Sequence, residues 1–131
     1  MSRLLSIGAM LMGSCWTAAG GGVQSALAAD GEIDFAKQVR PILAKSCLAC
    51  HGPDKDEGGL RLHRKAEALA GGDRGPAIVP GNSDDSRLIQ FVTGENDEQL
   101  IMPPPGDFSP LSETQIGLLR KWIDQGAKWP D

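Results

Sequence analysis

At 131 residues the chain has room for one domain and little room for two. Its 13 basic and 17 acidic residues give a formal net charge of −4, which argues against nucleic acid or anionic lipid as the main partner. Aromatic residues make up only 5% of the chain. A domain of this size buries about two-thirds of its unfolded surface, so few large rings are at hand to fill a core.

The first residues read as a targeting segment. Arg3 supplies a positive start, residues 4–12 form an apolar run, and a Gly/Ala-rich tract follows to Ala26-Leu27-Ala28. This is the order of an export signal with an A-x-A cleavage site, and the apolar run is too short to span a bilayer. Cleavage after Ala28 makes 1–28 a secretory signal and 29–131 the working domain, with no transmembrane span. It removes one Arg and no acid, so the charge moves from −4 to −5. A competing pattern, Leu11-Met12-Gly13-Ser14-Cys15, resembles a lipid-attachment box and would leave the protein anchored through Cys15. On the simpler reading Cys15 is discarded, and Cys47 and Cys50 are the cysteines that remain.

Along the rest of the chain, Asp34 is a candidate N-cap for a helix carrying Phe35, Val39, Ile42, Leu43 and Cys47 at helical spacing. Pro41 lies inside that pattern and should kink or restart the helix. The helix is expected to run into Cys47-Leu48-Ala49-Cys50-His51 and stop at Gly52-Pro53. A Gly-rich middle follows, with short helices expected over 64–70 and 86–93; Ser83, Asp84 and Asp85 are available to cap the second. The clearest helix is the last. Ser112-Glu113-Thr114-Gln115 is a capping box, and Ile116, Leu118, Leu119, Trp122 and Ile123 fall within an arc of roughly 160°. Gly117, Arg120, Lys121, Asp124 and Gln125 take the opposite side, and Gly126 ends the helix. The buried face should pack on Phe35 and Val39.

Cys47-Leu48-Ala49-Cys50-His51 is the C-x-x-C-H pattern of c-type haem attachment. Two thiols three residues apart on a helical turn reach the two vinyl groups on one porphyrin edge. The next residue, His51, then lies under the ring, where an imidazole nitrogen can bind iron. A bulky haem would also supply core that the few aromatic rings cannot. A redox dithiol would follow a strand, whereas a helix precedes this motif. A Cys47–Cys50 disulfide is the other bland reading. Zinc would need a second ligand pair, and beyond the motif only His63 is on offer.

Met102 is the one methionine left after signal removal, in Leu100-Ile101-Met102-Pro103-Pro104-Pro105-Gly106. Its thioether is the candidate second axial ligand, on a strap stiffened by three prolines; the competing role is to fill core space. His63 reads as an exposed polar residue. The Pro76 carbonyl is a candidate acceptor for the second ring N–H of His51, against an ordinary Gly/Pro turn. Arg74 is a candidate partner for a haem propionate. Residues 54–58 read as a solvated charged run.

Taken together these motifs resemble a planctomycete-type cytochrome c domain. The resemblance rests on Phe35 through Val39-Arg40-Pro41-Ile42-Leu43, Cys47 to His51 with Gly52, and Gly58-Gly59-Leu60-Arg61-Leu62. It continues through Gly71-Gly72, Gly75-Pro76-Ala77-Ile78-Val79-Pro80-Gly81, Met102-Pro103-Pro104 and Leu118-Leu119-Arg120-Lys121-Trp122-Ile123. It implies an all-α, class I cytochrome c-like fold, with N- and C-terminal helices packed across a haem crevice and Gly/Pro-rich loops between. It also implies one covalent haem c with His51 and Met102 as axial ligands. The expected function is single-electron transfer by an exported, periplasmic carrier that is not an enzyme. Its acidic surface would meet a redox partner through a basic docking patch.

Overall fold

The computed structural model describes residues 31–131. The proposed signal, its cleavage site and Cys15 lie outside the described residues.

Asp34 caps the first helical segment as expected, its carboxylate accepting from Lys37 N at 3.1 Å. Phe35–Val39 forms a π-helical segment, and an α-helix, α1 (Arg40–Ser46), takes over with Pro41 in its first turn. A proline is tolerated there because a first-turn N–H has no intrahelical partner to lose. The restart anticipated from Pro41 is thus a change of helix type. Cys47 N and Leu48 N still donate to Leu43 O, and His51 N donates to Cys47 O at 2.9 Å. The C-x-x-C-H motif is therefore a helical turn continuing from α1.

The middle holds α2 (Lys65–Ala70) and α3 (Arg87–Thr93), each stopped by a glycine. Gly94 closes α3 in the left-handed region at φ 77°, which a residue without a Cβ adopts at little cost. The cap of α3 differs from expectation. Ser86 is the N-cap, yet its hydroxyl accepts from Val79 N at 2.9 Å and donates to Asn82 O at 2.7 Å. Ser83 is committed elsewhere, its N–H and hydroxyl donating to the Asp124 carboxylate at 2.8 and 3.0 Å. Isolated bridges such as His51 with Asp56 and Gly72 with Gly75 stand in the loops, and no strand forms among the described residues.

The last helix, α4 (Glu113–Asp124), shows the full capping box: Ser112 Oγ accepts from Gln115 N, and Gln115 Oε1 accepts from Ser112 N at 2.9 Å. Leu119, Trp122 and Ile123 are buried, with Ile116 and Leu118 partly so. They meet the first helical segment, and Phe35 lies 5.6 Å from the Trp122 ring. Trp129 comes back to stack on Phe35 at 4.4 Å. The Trp122 indole N–H donates to Lys128 O at 2.8 Å, so this large ring is buried without stranding its donor. Gln125, expected on the polar face, bridges the two ends of the fold: it accepts from Ile33 N and donates to Gly31 O. The described chain is all-helical, with its terminal helical elements packed on one another.

Candidate haem-binding cavity

Beside this core lies an open cavity of about 990 Å³, solvent mouth included. Small-molecule and cofactor sites are concave, with mostly apolar walls. Leu60, Leu62, Ala77, Leu88, Phe91 and Val92 supply those walls here. Cys47, Cys50 and His51 enter from the turn after α1, and Met102, Pro103 and Pro104 from the strap after α3. Residues far apart in the chain, singled out in sequence for the same chemistry, thus face one cavity.

The motif is held by its own backbone. Besides its bond to Cys47 O, His51 accepts from Leu62 N at 2.8 Å, and Cys50 O accepts from Glu57 N at 3.0 Å. Gly52 lets the chain turn here, because a Cβ on it would collide with the Leu48 carbonyl oxygen. Cys47 and Cys50 are free and half-buried. Burial, and then the charge of Cys50 nearby, push the Cys47 thiol up to about 12. Among the described residues no three His, Cys, Asp or Glu side chains gather to hold a metal, so the zinc alternative is not assembled.

His51 Nδ1 is buried without a hydrogen-bond partner among the described residues. A buried ring nitrogen left unpaired is costly, and it fits a histidine that turns to bind iron through one nitrogen and donate from the other. The Pro76 carbonyl does not meet it in this structure. Pro76 is exposed, while its neighbours Gly75 and Ala77 line the cavity. With two thiols, an imidazole, a thioether and apolar walls converging, the residues present fit a haem.

The strap has more structure than its prolines. Met102 N donates to Phe91 O at 2.8 Å, tying the strap to α3. Asn96 braces the bend, accepting from Glu98 N and Leu100 N and donating to Gln90 O and Leu100 O. Arg74, the candidate partner for a propionate, lines the cavity and forks onto Glu98 there. Arg87 lines the cavity and makes no hydrogen bond or ion pair among the described residues. Nothing in the sequence distinguished it from other surface arginines. Phe91 and Phe108 are further wall residues missed in the sequence.

His63 corrects the expectation of an exposed residue. Its side chain is 18% exposed, with Nε2 3.9 Å from Glu67 Oε2, and it does not line the cavity. The 54–58 run is a set of exposed ion pairs, Lys55 with Glu57 and Arg61 with Asp56. The bond from Lys55 holds the Glu57 carboxyl below its usual range.

Among the described residues no helix is long and apolar enough to cross a membrane. Residues 47–106, from the first motif cysteine to the glycine after the proline strap, match the model of the planctomycete cytochrome C family. No curated protein and no solved structure matches the chain significantly.

Proposed function

From the planctomycete cytochrome C domain that residues 47–106 carry, we propose a single-electron carrier with one haem c, held by thioethers at Cys47 and Cys50. His51 and Met102 are its axial ligands. The observation that carries this reading is the meeting of all four side chains at one apolar-walled cavity. When bound, haem supplies one-electron cycling of its iron, at a potential that a thioether ligand raises relative to a nitrogen ligand.

The chain's own residues do the rest. Cys47 and Cys50 fix the group in place, and His51 on its helical turn holds an imidazole beneath it. Met102 on its strap would hold the remaining position of the iron, leaving none open to a substrate, which makes the protein a carrier and not an enzyme. Arg87 at the wall, without a side-chain partner among the described residues, offers a cation to a propionate. A shift of the 75–77 turn would let the Pro76 carbonyl accept from His51 Nδ1 and fix its tautomer. Apolar walls keep water off the group.

With residues 1–28 acting as a signal, the carrier works outside the cytoplasm, in the periplasm, or membrane-anchored if Cys15 is lipidated. The mature charge of −5, obtained by subtracting Arg3 from the chain's 13 basic residues, steers it toward a basic patch on a redox partner. Such encounters use small, weak interfaces.

The test is expression in a host with haem-attachment machinery. Haem should stay with the protein through acid–acetone extraction, and the reduced protein should resist carbon monoxide. Colourless protein would refute the reading; rapid, full carbon monoxide binding would turn it toward a sensor or enzyme.

A further inference from the structure

Two walls of the cavity come from separate loops, one following α2 (residues 71–76) and one following α3 (the strap, 94–108). Within the strap, Asn96 and the Met102 N–H to Phe91 O bond secure the chain to itself and to α3. Neither reaches the opposite wall. Arg74 does: Nε donates to Glu98 Oε1 at 3.0 Å and Nη2 to Glu98 Oε2 at 2.6 Å. Both prongs of the guanidinium are used, the geometry that makes a charge-assisted pair directional. The Arg74 Cζ also lies 5.6 Å from the centroid of Phe91, an aromatic ring that faces the same cavity as Met102.

We propose that the Arg74–Glu98 pair is a tie that holds the Met102 strap against the opposite wall, and so sets how readily an outside ligand displaces the Met102 thioether. The proposal rests on the axial role given to Met102 above. Glu98 stands four residues before Met102, so opening the pair frees the approach to the ligand while leaving its anchor on α3 intact. Arg74 and Glu98 are positioning residues, acting on Met102 through the strap. Both side chains are close to half exposed, at 46% and 45%. Water and salt therefore weaken the pair, which makes its effect modest and dependent on ionic strength. A residue that only filled space would show no such dependence.

The experiment is an imidazole titration of the ferric, haem-loaded full chain, read by loss of the far-red methionine–iron band. Glu98→Gln and Arg74→Gln should each bind imidazole about twofold to fivefold more tightly than the parent protein, the scale of a well-oriented surface pair. The double variant should go no further than either single one, and the charge swap Arg74→Glu with Glu98→Arg should recover most of the parent's resistance. High salt should move the parent toward the variants and leave the variants unmoved. A Glu98→Gln protein with the far-red band and the parent's imidazole affinity would overturn the tie alone, as would single effects that simply add. A parent protein without the band would overturn the Met102 reading, and the tie with it.

Discussion

The two halves of this molecule are built on different principles. The frame, made by the first helical segments and α4, closes on itself. Phe35, Trp122 and Trp129 stack, and Val39, Leu119 and Ile123 are fully buried among them. The cavity half, between Cys47 and Gly106, has helices of only six and seven residues. Its walls are α3 and the loops around it, and its apolar side chains face an open space. The family match covers that second half and neither frame helix. The difference separates what any small helical protein needs from what a binding site needs: the frame closes on its own side chains, while the cavity half leaves apolar walls around an open space.

The most drastic challenge to that contrast is Cys47→Ala with Cys50→Ala. Without thioethers the cavity half loses its core, and the protein should be largely unfolded by circular dichroism; a cooperative, native-like melt would show that the loops need no group. Trp122→Ala attacks the frame. The ring is 1% exposed, and its loss should cost about 3–5 kcal/mol in denaturant unfolding, with haem attachment impaired only through the fold. Met102→Ala should spare the frame and change the cavity. The reduction potential should fall, on the order of a hundred millivolts within the ~0.8 V that axial ligands span, and the far-red band should vanish. An unchanged potential would remove Met102 from the iron. The smallest effect is expected from Ser112→Ala, which deletes one half of the capping box and should lower stability by about 1 kcal/mol with no change in potential.

The frame was legible because its signals are local. Ser112 and Gln115 declare a helix start within four residues, and the arc from Ile116 to Ile123 declares its buried face. The helical turn from Cys47 to His51 was legible for a similar reason, since it continues the local pattern of α1. What escaped were contacts between segments distant in sequence. Asp124 and Gln125 looked like solvent-facing residues of α4, but Ser83 and Ile33 lie opposite them. Ser83 was therefore unavailable to cap α3. Arg74 carries the same charge whether its partner is a propionate or a carboxylate, and only the return of the strap puts Glu98 within reach. The half-buried position of His63 likewise depends on tertiary packing. The placement of Pro76 beside the cavity, not on it, depends on how the 71–76 loop folds back between Gly72 and Gly75.

The ring cluster of the frame also determines how the molecule can be watched. The chain has three tryptophans and no tyrosine, and Trp16 falls in the proposed signal, which sets it aside. The two that remain, Trp122 and Trp129, lie 5.9 Å apart in one cluster. The cavity wall contributes only Phe91 and Phe108, which are feeble emitters. Intrinsic fluorescence thus originates in the frame, and with haem bound its quenching by energy transfer would report the distance between the two halves, while visible absorbance would report the cavity. Melted together, the two optical signals would reveal whether the halves come apart in one step or in sequence.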